Sequence, residues 1–224
     1  IYTYKEEMVS DIKAITYNIN DSGSKVETYL NLDAVFTKQE TKDFKKTAFT
    51  LPNIKEGSII EFTYKVSSYY YRIPDWYFQS DIPKKESEFD LAIMGNYQYN
   101  TRITGFLDLD KNEKSVKENC VIIPNGARAA CASYTYGMKD VPAFKKEDYM
   151  LSEKNYLARI SLELKSITTL VKTGVGYTEK VAPKVKNYTK TWKDADKTFR
   201  LDFLNNQGSK KNFFKKKLSN AVLK

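Results

Sequence analysis

The 224-residue chain is long enough for one large hydrophobic core or two smaller ones, and its 41% hydrophobic and 29% charged content is ordinary for a globular domain. No run approaches the roughly 18 apolar residues of a membrane span, and with no histidine the chain cannot build Ser-His-Asp or Cys-His-Asp machinery or a histidine-ligated zinc hydrolase site. The net charge of +9 arises in the last third: residues 1–150 carry 20 Lys/Arg against 22 Asp/Glu, residues 151–224 carry 17 against 6.

In chain order, Ile1-Tyr2-Thr3-Tyr4 has no basic and apolar leader, so no signal peptide is visible and the chain reads as trimmed. Two strands follow, Ile12–Ile19 and Lys25–Phe36, joined by Asn20-Asp21-Ser22-Gly23, whose residues tolerate positive φ. In the second, Leu30, Leu32, Ala34 and Phe36 alternate. Lys55-Glu56-Gly57 predicts a turn, and Ile60, Phe62, Tyr64 and Val66 then alternate with polar residues on a half-buried strand. Ile82-Pro83-Lys84-Lys85 and Ile123-Pro124-Asn125-Gly126 interrupt later strands. Tyr156, Ala158, Ile160, Leu162 and Leu164 form another alternating set. Trp192, Ala195 and Phe199 fit a helix that Asn205, Asn206 and Gly208 end, and Lys210–Lys224 is a basic tail. With 17 Tyr and 12 Phe against 2 Trp, this punctuation predicts a mainly β protein. The expected architecture is a large antiparallel β-sandwich over residues 1–165, followed by a C-terminal segment, 166–224, with strand remnants and a linker helix.

Cys120 and Cys131 fit either a disulfide between neighbouring strands or two thiols, at least one of them buried. Two sulfurs without imidazole do not make a zinc site. Asp108, Asp110 and Asn112 have the alternating oxygen spacing of a calcium loop, but Glu113 and Asn119 stand where an EF-hand has Gly and Glu. The segment is expected to be a polar hairpin loop. The glycines form no phosphate-binding loop, so no cofactor is expected. The basic C-terminal third carries no nucleic-acid signature, and a solvated lysine-rich face is the simpler reading, with phosphate, anionic lipid or an acidic partner as alternatives.

Four blocks carry a family resemblance. Leu51-Pro52-Asn53-Ile54-Lys55-Glu56-Gly57-Ser58-Ile59-Ile60-Glu61-Phe62-Thr63-Tyr64 resembles the "P-N-v-k-E-G-s-i-I-E-y-x-Y" block of a bacterial domain of unknown function, the transglutaminase-associated N-terminal domain. Asp75–Pro83 with Ser87-Glu88-Phe89, then Val141–Met150, and then Thr191-Trp192 resemble its later blocks, in the same order. Asp148 stands where that pattern has Pro, and Asn206-Gln207-Gly208 replaces its Phe-Gly. The resemblance implies a non-catalytic β-sandwich accessory domain of an exported, periplasmic or cell-surface protein, ahead of a Cys-His-Asp transglutaminase-like core in the same polypeptide. The family's catalytic residues map to no position here.

Trp76 and Phe78 are expected to plug the core, Gly57 to permit a tight turn, and Pro83 to end a strand. The candidate binding residues are Asp75, Gln79 and Glu88 on a partner-facing surface, and Tyr69, Tyr70, Tyr71 and Arg72, whose clustered rings suit a glycan or peptide. The alternative function is accordingly a glycan- or peptide-binding module.

Overall fold

The structure is a computed structural model that describes residues 1–122, 128–173, 180–188 and 191–206. The expected turn at Ile123–Gly126, the helix-ending Gly208 and the basic tail Lys210–Lys224 lie outside the described residues. The fold is mainly antiparallel β with one C-terminal helix, as predicted. Its contacts divide it into two compact units, Ile1–Tyr71 and Arg72–Lys224. The division therefore falls after Tyr71, whereas residues 165 and 166 lie within one continuous strand.

The first unit holds two three-stranded sheets. One has the order β1 (Tyr2–Tyr4), β5 (Phe44–Phe49), β4 (Val35–Gln39); the other has β3 (Lys25–Tyr29), β2 (Met8–Ile19), β6 (Ile59–Ser67). The β2–β3 hairpin turns at the expected residues, with Gly23 at φ +79° and its N–H on the Asn20 carbonyl at 2.9 Å. The expected strand to Phe36 is broken. Asn31 accepts the Asp33 N–H on its side chain at 3.1 Å and caps a 3-10 turn, Leu32–Ala34, which separates β3 from β4 in the other sheet. Leu32 and Phe36 are exposed, so their alternation did not report a buried face. Small side chains fill this unit: Thr3, Ala14, Thr16 and Thr47 are buried, and Phe49 meets Phe62 with ring centroids 6.0 Å apart.

The Pro52–Ser58 block is built into this unit. Asn18, 9% exposed, donates to the Asn53 carbonyl (2.9 Å) and accepts from the Ser58 hydroxyl (2.6 Å). Ser58 Oγ in turn accepts the Lys55 N–H at 2.9 Å. Gly57, at φ +82°, closes the turn, so the motif residues hold a loop against β2.

The second unit contains β7 (Trp76–Tyr77), β8 (Lys84–Met94), β9 (Tyr97–Thr104), β10 (Lys111–Ile122), β11 (Arg128–Val141), β12 (Arg159–Thr173), β13 (Lys180–Asn187) and helix α1 (Trp192–Asn206). β10-β11-β8 form one sheet; β12 pairs β13, β7 and β9 in another. Phe78, Tyr136, Met138, Val141, Ala158 and Ile160 form the core between them, and Trp76 packs against it, stacked on Phe89 at 5.3 Å. Trp76 and Phe78 thus serve as expected. Pro83 stands before β8 rather than ending a strand, a site where a missing N–H is equally tolerated. Thr191 caps α1 through the Asp194 N–H at 3.2 Å.

Cys120 and Cys131 are bridged, with Cα atoms 6.0 Å apart. The register between β10 and β11 shifts between Lys117 and Val121, around Asn119 at φ +54°, and this bulge brings Cys120 to Cys131. By loop entropy, the bridge should stabilise the chain by about 2–3 kcal/mol. A chain carrying both Cys120→Ser and Cys131→Ala is expected to show that loss in urea unfolding. Titration of the unfolded, unreduced protein should detect no thiol; two thiols would contradict the bridge.

Tyr99, on β9, has its phenol pushed up to about 12, first by burial and then by Tyr97. A phenol ionising at the usual 10 when unfolded and near 12 when folded favours the unfolded chain as pH climbs through that window. Stability should therefore be unaffected by this group below pH 10 and fall between 10 and 12. Tyr99→Phe should flatten that part of a stability–pH profile, and an unchanged slope would remove the assignment.

Candidate functional site

The expected binding residues are divided between the two units. β6 ends at Ser67, so Tyr69–Tyr71 lie beyond the strand. The Tyr70 ring packs on Tyr4 at 5.2 Å and its hydroxyl donates to Glu6. That bond pushes the Tyr70 phenol up and holds the Glu6 carboxyl below its usual range. Tyr69 and Tyr71 are exposed, and Arg72 begins the second unit.

In the second unit the other three residues tie elements together. Asp75 accepts from Arg159 at 2.9 Å, and Arg159 also reaches the Tyr77 hydroxyl at 3.3 Å. Gln79 donates to the Pro142 carbonyl (3.0 Å) and accepts from the Ala158 N–H (3.3 Å). Glu88 pairs with Lys111 at 2.9 Å. Asp110 of the calcium-like triplet is another tie, accepting the Lys139 N–H at 2.7 Å. Among the described residues no group of three His, Cys, Asp or Glu is placed to hold a metal ion.

A concave surface of the second unit lies elsewhere. After β9, Gly105 at φ +100° turns the chain so that Leu107 packs on the core while Phe106 stays 87% exposed. After β11, the chain runs beside residues 79 and 80, with the Phe144 N–H on the Ser80 carbonyl at 2.7 Å. It then turns at Glu147–Met150, with Tyr149 at φ +67°. Tyr156 follows a 3-10 turn, Glu153–Asn155, and its ring stacks on Phe106 at 6.4 Å. Between these segments opens a cleft of about 510 Å³, lined by Phe106, Leu107, Phe144, Tyr149, Met150 and Tyr156, with Gln79, Lys145, Glu147 and Asp148 contributing polar groups.

No protein-family model, curated protein or solved structure matches the chain. Chemistry alone characterises the cleft. Aromatic faces bordered by carboxylates, an ammonium and an amide suit stacking and hydrogen bonding to a ligand with both apolar and hydroxyl or amide character. Of the expected site residues, only Gln79 lines it. The Val141–Met150 block supplies one wall, a binding role not among the expected ones. Phe106 and Tyr156 were missed as site residues: Phe106 lies in a loop, where no alternation marks a ring, and Tyr156, the first of the alternating set to Leu164, stands before β12, which begins at Arg159. An aromatic directly after Gly105, in a loop, was the available signal.

Proposed function

We propose that this chain is a non-catalytic interaction domain of a larger exported bacterial protein, where it holds or positions a neighbouring transglutaminase-like core. The observation that carries this reading is the ordered set of four family-like blocks together with their structural use. Asn53, Gly57 and Ser58 clasp one loop, Trp76, Phe78 and Gln79 anchor β7 to β12, and Val141–Met150 walls an aromatic cleft. The Cys120–Cys131 bridge supports an oxidising compartment, and the lack of histidine supports a holding role over acyl transfer. The test is to assay the purified chain for transglutaminase and peptidase turnover. A folded protein without either activity is expected, and turnover that co-purifies with it would overturn the reading.

A second reading, a glycan- or peptide-binding module, is favoured by the stacked Phe106–Tyr156 pair beside Glu147 and Asp148. Phe106, being exposed, can be replaced by alanine with a stability change of about 0.5 kcal/mol or less. Calorimetric titration with soluble polysaccharides and peptides should then show binding by the parent chain and its loss in Phe106→Ala. Equal binding by both would move the ligand away from the cleft.

A further inference from the structure

The sheet of β1, β5 and β4 in the first unit has two unlike faces. Thr3 and Thr47 are buried, and Thr37 meets Thr47 hydroxyl to hydroxyl at 3.0 Å, so this set marks the inner face. By register, Tyr2, Lys46 and Lys38 form one row across the outer face. Tyr4 stands opposite Phe44 on one side of that row, and Phe36 opposite Ala48 on the other. Tyr2 and Phe36 are each 62% exposed, Phe44 is 45% exposed, and both lysines are exposed. No carboxylate belongs to this face: Tyr2–Tyr4, Val35–Gln39 and Phe44–Phe49 contain neither Asp nor Glu.

The lysine pair is the informative element. Residues directly opposite in an antiparallel pair hold their Cβ atoms about 5 Å apart, and like charges placed there repel. Lys38 and Lys46 stand in that relation, and among the described residues neither makes an ion pair. Lys46 Nζ lies over the Tyr2 ring, 5.7 Å from its centroid, a contact that leaves the charge in place. Beyond Tyr4 the charges already have partners: Lys5 pairs with Asp43 at 3.9 Å, and the Tyr70 hydroxyl donates to Glu6. The uncompensated charge of this face thus sits in the Tyr2–Lys46–Lys38 row, with aromatic rings on either side.

We propose that this face binds an acidic polysaccharide, with a uronate carboxylate between Lys38 and Lys46 and sugar rings against Tyr2, Phe36 and Phe44. An anion seated between the two ammonium groups removes their repulsion, and the rings offer apolar faces to the C–H side of a sugar. Two other polyanions fit less well. A membrane surface is held by clusters of about 4–8 basic residues or by an apolar wedge, against Lys38, Lys46 and the single aliphatic Ala48 here. Nucleic acid is met where thiols stay reduced, whereas Cys120 and Cys131 are bridged. The inference concerns the first unit and rests on neither reading of the function given above.

Calorimetric titration of the full chain with polygalacturonate and with alginate, two polyuronates, tests it. Both should bind, more weakly as salt rises, and methyl-esterified polygalacturonate, which is uncharged, should not. Lys38→Gln combined with Lys46→Gln should weaken binding about 10-fold, and Tyr2→Ala about 5-fold. Lys184→Gln combined with Lys186→Gln removes the same charge from the second unit and should change binding by no more than about 2-fold. Lys38→Glu separates recognition from folding: opposite Lys46 it should raise the urea midpoint while polyuronate binding is lost. Failure of both polyuronates to bind, equal binding of the methyl ester, or an equal loss in the second-unit lysine pair would each overturn the proposal. So would tighter binding of oligothymidylate or of phosphatidylserine vesicles.

Discussion

Gly105→Ala is expected to destabilise the second unit by about 3–5 kcal/mol, as positive-φ strain and a main-chain clash add. Gly105 sits at φ +100°, and a Cβ there would lie 2.7 Å from the Ala158 Cα and 2.9 Å from its nitrogen. Both are main-chain atoms, so no side chain can swing aside. Ala158 cannot yield easily, because its carbonyl takes the Phe78 N–H and its own N–H is held by Gln79. Gly57 supplies the control: φ is +82°, but nothing stands within 4 Å of the added atom. Gly57→Ala should therefore cost about 1 kcal/mol, the conformational part alone. Urea unfolding followed by far-UV circular dichroism measures both losses, since Gly57 lies in the first unit, which holds no tryptophan; fluorescence of Trp76, packed on the core, follows the second unit and Gly105. Equal losses in both variants would remove the clash from the account.

Phe78→Ala should remove a comparable 3–5 kcal/mol through lost transfer energy and the cavity left behind. Phe78 is 0% exposed and touches the core from the two-residue strand β7. The same packing predicts a graded series, with Phe78→Leu losing clearly less than Phe78→Ala. Trp192→Ala, an equally drastic truncation on an exposed ring, should stay within about 0.5 kcal/mol. A loss below about 1.5 kcal/mol for Phe78→Ala would mean that the two sheets do not close around it.

The sheet class was legible because its signals are local. The Asn20–Gly23 and Lys55–Gly57 turns need residues that tolerate positive φ, and Ile60–Val66 alternates on a real strand, β6. Other features depend on backbone events that alternation does not encode. Asp11 and Asn119 both adopt positive φ where the register shifts, and neither residue is distinguishable in sequence from a polar strand position. The 3-10 turn at Leu32–Ala34 was hidden for the opposite reason: its apolar spacing imitates a strand, while Asn31 caps a turn. The candidate site was hardest. Asp75, Gln79 and Glu88 were read as a surface, yet Arg159, Ala158 and Lys111 take up their polar groups. Those partners lie between 23 and 84 residues away, so the pairing exists only once the sheets have formed.

The attachment of β7 has a mechanical consequence. Any tension that travels along the chain from Tyr71 enters the second unit at Arg72–Asp75, and Pro74 leaves that stretch without ladder bonds to share the load. The first fastenings to feel the pull are the Asp75–Arg159 ion pair and the short pairing of Trp76–Tyr77 with β12. They would be loaded one after another, as a zip is, with Phe78 in its apolar socket as the stop behind them. In a single-molecule stretch the earliest yielding of the second unit should therefore start at β7, and Asp75→Asn should lower the force at which it gives.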